Sequence, residues 1–188
     1  MVMLVGSLLA AGLSTRFEGP TTKLLTPFRG KALIEHSLES FRASGIATRS
    51  VVVGRSRIDR FILDTETILR NEFPSKGIAS SVSIAAKWAE LLNADALIIG
   101  LGDQPLVGGE AWVRVANSFG APIVVATYQG RRRNPVKLSR ETFGLLPVDG
   151  DIGAKALFEL LPDDILEVEC DGEPFDIDTV EDLKNWNY

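Results

Sequence analysis

Five short, continuous apolar runs set the first constraint on this chain. They lie at residues 3–9, 48–53, 94–101, 122–127 and, more weakly, 165–168. None alternates apolar with polar residues, so each reads as a β-strand covered on both faces, as in a mainly parallel sheet. Helical patterns stand between them over 32–44, 78–92, 110–119 and 154–161, the first with Leu33, Ile34, Leu38 and Phe41 at helical spacing. A closing helix is predicted over 180–186. Strands alternating with helices predict an α/β fold of right-handed βαβ units. The 188 residues contain no linker-like stretch and no fixed repeat, so one domain over residues 1–188 is expected.

Composition narrows the function classes. A formal net charge of -5 argues against nucleic-acid binding, which normally needs a basic face. Any anionic ligand must therefore be met locally. The single cysteine, Cys170, can form no intrachain disulfide and no zinc cluster, which fits a reducing cytoplasm. Residues 1–11 are apolar enough to suggest a signal sequence, but no Lys or Arg precedes them, and a first buried strand is the better reading. No other apolar run approaches the roughly 20 residues of a membrane span.

In α/β sheets ligands bind beyond the carboxyl ends of the strands. The first run leaves into Ala10, Ala11, Gly12, Leu13, Ser14, Thr15 and Arg16. Small residues let backbone N–H groups surround an anion, Ser14 and Thr15 add hydroxyl donors, and Arg16 adds a planar fork for phosphate oxygens. Lys23 supplies a second cation. A plain turn would explain Gly12 alone but not the two cations with it. Neither G-x-x-x-x-G-K-[ST] nor G-x-G-x-x-G is present.

The run 94–101 leaves into Gly102, Asp103, Gln104 and Pro105. Asp103 suits a hard oxygen ligand for Mg²⁺, or an Asx-turn or helix cap. Near the end, Asp176 and Asp178 are expected on one face of an extended segment, where one could cap the final helix with Thr179 and the pair could share a cation. Arg131, Arg132 and Arg133 read either as a solvated hairpin turn or as a holder of an anion. His36 is a helix residue, Trp88, Trp112 and Trp186 are packing anchors, and the acidic neighbours of Cys170 oppose nucleophilic use.

Residues 9–23 (LAAGLSTRFEGPTTK), followed by Leu24 and Leu25, with Gly102-Asp103-Gln104-Pro105 and residues 176–183 (DIDTVEDL), resemble the MobA-like NTP transferases, the nucleotidyltransferases of molybdenum cofactor maturation. The likeness extends to Asn71, to Gly77-Ile78-Ala79-Ser80-Ser81, to Asn134-Pro135-Val136 and to residues 150–155, in order along nearly the whole chain. It departs at Glu18, where such loops carry Gly, and at Val180, where Pro commonly opens the helix.

The resemblance implies a Rossmann-like, GT-A-type three-layer sandwich. It implies transfer of a nucleoside monophosphate from an NTP to a phosphorylated small-molecule acceptor with release of pyrophosphate. Arg16 and the Gly12 loop would hold the triphosphate, Lys23 the α-phosphate, and Asp103 with Asp178 the Mg²⁺ cofactor. Leu9, Ala10, Ala11, Ser14, Asn71, Gly77, Ser80 and Ser81 would complete the nucleotide site. Ala11-Gly12, where guanylyl-transferring members tend to carry Gly-Gly, favours CTP. The first acceptor is then a molybdopterin-type cofactor, with transient contact to a molybdoenzyme. Other acceptors are a sugar phosphate, a methylerythritol phosphate or a phospholactate. A cofactor-binding chaperone and a nicotinamide-dependent oxidoreductase are the readings outside this chemistry.

Overall fold

A computed structural model describes residues 2–19 and 22–186. The first strand, β1 (Leu4–Ala10), leads through a 3₁₀ turn at Lys23–Leu25 to a small hairpin of β2 (Pro27–Phe28) and β3 (Lys31–Ala32). Then come α1 (Leu33–Ala43), β4 (Thr48–Val53), β5 (Glu66–Arg70), α2 (Ile78–Leu91), β6 (Ala96–Leu101) and α3 (Gly109–Ala116). The second half holds β7 (Ile123–Tyr128), β8 (Arg131–Ser139), α4 (Ala156–Leu160), β9 (Ile165–Glu169) and α5 (Val180–Trp186).

Seven strands form one sheet in the order β5-β4-β1-β6-β8-β7-β9. Only β8 runs against its neighbours; the other six share one direction, so the sheet is mainly parallel as expected. Alternate residues of each strand feed two cores. One joins Leu8, Val51 and Ile98 to α1 and α3, and the other joins Val5, Leu9, Val52 and Leu97 to α2. This is a three-layer sandwich. Leu33, Ile34, Leu38 and Phe41 of α1 are fully buried, each contributing about 1.5–3 kcal/mol of apolar transfer. The helix α3 lies close on β6 because Gly100 has no side chain: a Cβ there would stand 2.3 Å from the Trp112 ring.

The far edge of the sheet is fastened by charge. Glu66 on β5, its side chain 0% exposed, accepts from Arg42 Nε at 2.9 Å and Nη2 at 2.7 Å, from the Leu63 amide at 3.0 Å and from Arg49 Nε at 3.4 Å. Burial pushes the Glu66 carboxyl up, but these donors outweigh it and hold the group below its ordinary value. The anion thereby ties α1, β4 and β5 together.

The sequence signals missed β5, β8 and the β2–β3 hairpin. β8 opens on three arginines, which hide a strand whose later residues Val136 and Leu138 are buried in the sheet. The hairpin turn before it is made by Gln129 and Gly130, both at positive φ, so Arg131–133 are strand residues and not the turn. The predicted helix over 110–119 stops at Ala116, and that over 154–161 opens as a 3₁₀ turn at Gly153–Lys155 before α4.

Candidate active site

The parallel pairing of β1 with β6 sets Leu9 opposite Leu101 and brings their two exit loops side by side. The Gly102 amide donates to the Leu9 carbonyl at 2.8 Å, which continues the pairing one residue further. Beyond these ends opens a cavity of about 340 Å³ lined by Leu9, Ala11, Gly12, Ser14, Arg16, Lys23, Gly77, Ser81, Asp103 and Asp178. The structure thus gathers most of the sequence-predicted residues. Ser14 takes a positive φ of 54°, an uncommon conformation for a residue with a side chain, and its carbonyl accepts the Phe17 amide in a tight turn. Pro20 and Thr21 of the quoted loop lie outside the described residues.

Lys23 is the centre of the charge arrangement. Its Nζ donates to Asp103 Oδ2 at 2.7 Å and to Asp178 Oδ1 at 3.0 Å, and Arg16 Nη2 lies 2.9 Å from Asp178 Oδ2. Lys23 is 6% exposed. Burial alone would lower its ammonium, but Asp103, by charge and hydrogen bond, and then Asp178 raise it above the ordinary lysine value. Neither aspartate serves as a helix cap. The box that opens α5 is made by Thr179 and Asp182, with Thr179 N donating to Asp182 Oδ2 at 2.8 Å and Asp182 N to Thr179 Oγ1 at 3.1 Å. The N-cap of α3 is Gly108, with no side-chain bond. Asp103 and Asp178 are therefore left to the cavity.

Asp176 takes a different place from the one expected. Residues 173–178 form no strand; the Ile177 amide donates to the Asp103 carbonyl at 3.0 Å while its side chain is buried. Asp178 lines the first cavity and Asp176 an adjoining one, where Gln104 Nε2 donates to Asp176 Oδ1 at 2.9 Å. Burial first, then the charge of Asp103, raises the Asp176 carboxyl.

Three predicted residues do not line the first cavity. Ala10 is buried in the core. Asn71 Nδ2 donates to Ser80 Oγ at 2.8 Å and Ser81 Oγ at 2.9 Å, while its Oδ1 accepts the Phe73 amide at 2.9 Å. Ser80 Oγ in turn donates to the Gly77 carbonyl at 2.7 Å. Asn71 and Ser80 thus shape the wall that Gly77 and Ser81 present. Gly77 needs to be glycine: its φ is 81°, and a Cβ would meet the Gly150 carbonyl oxygen at 2.3 Å.

The adjoining cavity, about 110 Å³, shares Leu9, Ile78, Leu101 and Asp151 with the first and adds Arg132, Arg133, Lys155 and Phe158. A register shift in the β7–β8 ladder passes over Asn134 and Pro135, and such bulges re-aim side chains beside active sites. Arg132 Nε is paired with Glu167 Oε1 at 2.7 Å, Asn134 Nδ2 reaches Gln104 Oε1 at 3.3 Å, and Arg133 donates to the Arg132 carbonyl. The arginine run was the visible signal for this wall; Asp151 had no signal beyond its place in residues 150–155.

His36 is bonded to the Phe28 carbonyl at 2.7 Å, away from both cavities. Burial raises the Cys170 thiol, with Glu169 and Asp171 adding to the rise against Arg114. Among the described residues no group of three or more Asp, Glu, His or Cys forms a ready cage for a metal, and no helix is long and apolar enough to cross a membrane.

Residues 6–165 match the MobA-like NTP transferase domain. The chain belongs to that family. The MobA-like domain is 32% identical over 151 residues to the bifunctional protein GlmU of Rhodopseudomonas palustris (strain BisB5), a match covering 76% of this chain and 31% of that protein. It spans about a third of the length of such curated relatives. Rv0371c from Mycobacterium tuberculosis H37Rv, solved in complex with manganese, superposes with a TM-score of 0.80 at 25% identity, covering 99% of this chain and 98% of that one. The nucleotidyl transferase Mth528 from Methanothermobacter shares the fold, with a TM-score of 0.82 at 21% identity over 98% of this chain and 96% of that one.

Proposed function

We propose that this MobA-like domain is a nucleotidyltransferase that moves a nucleoside monophosphate from an NTP to a phosphorylated small acceptor. The observation that carries the reading is the convergence of Arg16, Lys23, Asp103 and Asp178 on one cavity at the carboxyl ends of β1 and β6. The donor set fits a divalent cation. Two carboxylates already face one cation, the Lys23 ammonium, and Mg²⁺ is typically held by one or two carboxylates together with substrate phosphates. Asp103 and Asp178 would hold it, and bound there it offsets charge on the triphosphate.

The chain's own groups do the rest by position and charge. The Gly12 loop and Arg16 orient the triphosphate, and Lys23 meets the α-phosphate. The acceptor lies in the adjoining cavity, its phosphate met by Arg133 and Lys155. An acceptor phosphate oxygen forms a bond to the α-phosphorus as the bond from that phosphorus to the bridging oxygen breaks, and pyrophosphate leaves with that electron pair. No protein base is needed, because an acceptor phosphate is already ionised. His36 and Cys170 accordingly stand outside the reaction.

CTP is the proposed donor, and CMP transfer to a molybdopterin-type cofactor in the cytoplasm, with handover to a molybdoenzyme, is the first acceptor reading. Ala11 lines the cavity but is only 3% exposed and packs with the core. Its methyl takes little room from a base, so the expected preference for CTP over GTP is about tenfold, at the low end for one methyl. A second acceptor reading comes from size. At about 110 Å³ the adjoining cavity is small beside the ~300–1,000 Å³ of common ligand sites, which favours a compact acceptor such as a sugar phosphate. The test is pyrophosphate release with each of the four NTPs, Mg²⁺ and either molybdopterin or a panel of sugar phosphates, with product mass naming the acceptor. No release with any pair would refute the transferase reading.

A further inference from the structure

Lys23 has two claims on it. In the free chain its Nζ joins Asp103 and Asp178, at 2.7 and 3.0 Å, and Arg16 takes the other oxygen of Asp178 at 2.9 Å. Two cations thus balance two carboxylates. The proposed reaction asks the same two cations to meet phosphate and the same two carboxylates to meet a divalent metal. A buried ammonium and a metal ion cannot share one pair of carboxylate oxygens at close range without strong repulsion, since like charges held close in a buried site interact far more strongly than in water.

We propose that Lys23 is a placeholder for the metal, which holds Asp103 and Asp178 together in the free protein and is exchanged onto the nucleotide when the metal enters. The exchange balances. Before it, Lys23 and Arg16 neutralise Asp103 and Asp178; after it, the divalent cation neutralises the aspartates while Lys23 and Arg16 face the triphosphate. Each partner prepares the site for the other, so metal and nucleotide bind weakly alone and tightly together, and the coupling is reciprocal. Three features of the structure support this. Lys23 is buried and reaches both carboxylates at once. Among the described residues no third acidic group completes a metal cage, so the nucleotide must supply the remaining oxygens. The caps of α3 and α5 are provided elsewhere or by backbone alone, which leaves the aspartates no competing structural duty.

The inference rests on the reading that Asp103 and Asp178 hold the metal, and the test separates the two. Binding of free Mn²⁺ to the nucleotide-free chain is followed by loss of its aqueous electron paramagnetic resonance signal, at one pH. Lys23→Met is expected to bind Mn²⁺ at least tenfold more tightly than wild type, and adding Asp103→Ala is expected to remove the gain. Lys23→Arg, which keeps a cation in place, should stay weak. Arg16→Gln removes one charge from the exposed rim and leaves Lys23 seated, so it should change Mn²⁺ affinity less than threefold. Lys23→Gln repeats the measurement should the Met variant fail to fold, and thermal melting checks each. Tight Mn²⁺ binding by wild type, unchanged in Lys23→Met, would overturn the placeholder and leave the metal site standing. An equal gain from Arg16→Gln would overturn Lys23 as the particular placeholder, since Arg16, paired with Asp178 Oδ2 at 2.9 Å, would then hold the site as much as Lys23 does. Weak binding by both Lys23→Met and Lys23→Gln would overturn the placeholder, and the same titration of wild type with NTP present then decides the metal site, which is refuted if Mn²⁺ binding depends in no way on Asp103.

Discussion

Gly12 allows the loop to be tested without touching a charge. The residue lines the first cavity, its φ lies outside the left-handed region, and a Cβ built on it meets no protein atom within 4 Å. Gly12→Ala therefore strains nothing in the free chain and narrows the unfolded ensemble, a gain of about 0.4–1 kcal/mol. For a protein of this size that raises Tm by roughly 1–4 °C. With phosphate in place the same methyl is forced into occupied space, at about 1–3 kcal/mol, or roughly 5- to 150-fold in kcat/KM for the NTP. Gly77→Ala is the opposite case, because its positive φ and the Gly150 carbonyl at 2.3 Å predict a loss of stability as well. Calorimetry on both variants and kcat/KM with saturating acceptor give the two readings. If Gly12→Ala turns over NTP as wild type does, the loop does not approach the phosphates and its assignment is wrong. If its Tm falls, the space around Gly12 has been misjudged.

Asp103→Ala and Asp178→Ala should each lower turnover at least ~100-fold in a chain that still folds, with Lys23 keeping the other aspartate, read by pyrophosphate release and a melting profile. Asp176→Ala should act through acceptor KM, and if it alone abolishes turnover the wrong carboxylate has been chosen. Arg16→Lys should recover little of the activity lost in Arg16→Ala, because a point charge does not replace a bidentate fork; full recovery would show that only charge matters. Glu66→Gln should cost about 3–5 kcal/mol by leaving Arg42 and Arg49 without their anion, a Tm fall of roughly 6–20 °C. Because the folded Glu66 carboxyl is held below its ordinary 4.5, its contribution is present above that pH and lost as pH falls through the depressed value. Melting profiles of the Gln variant should lack that part of the acid sensitivity; an unchanged acid limb would assign it to other carboxylates.

The parallel strands were legible because each had to be apolar on both faces, and their exits led directly to Gly12 and Asp103. The sheet edge was not. β5 carries Glu66 and Arg70 in a five-residue strand with three exposed positions, so its pairing depends on Arg42 and Arg49 from distant parts of the chain. β8 was hidden for a related reason, since Arg131–133 project past the ladder with β6, which begins only at Val136. Local pattern also could not divide Asp176 from Asp178. Their separation follows from one backbone bond between Ile177 and Asp103, a contact no spacing rule contains.

Asp178 reaches the cavity from just ahead of α5, a helix none of whose residues is fully buried. Its attachments include the Thr179–Asp182 box, the Ile177–Asp103 bond, the Arg29 Nε bond to the Trp186 carbonyl at 3.0 Å and the partial packing of Leu183 and Trp186. Opening of this segment is among the cheapest available, because an element with no fully buried residue unfolds locally at far less cost than the core. Loss of competence can then run ahead of loss of fold: limited proteolysis or mild heating that releases α5 would uncouple Asp178 from Asp103 while the sheet stays intact.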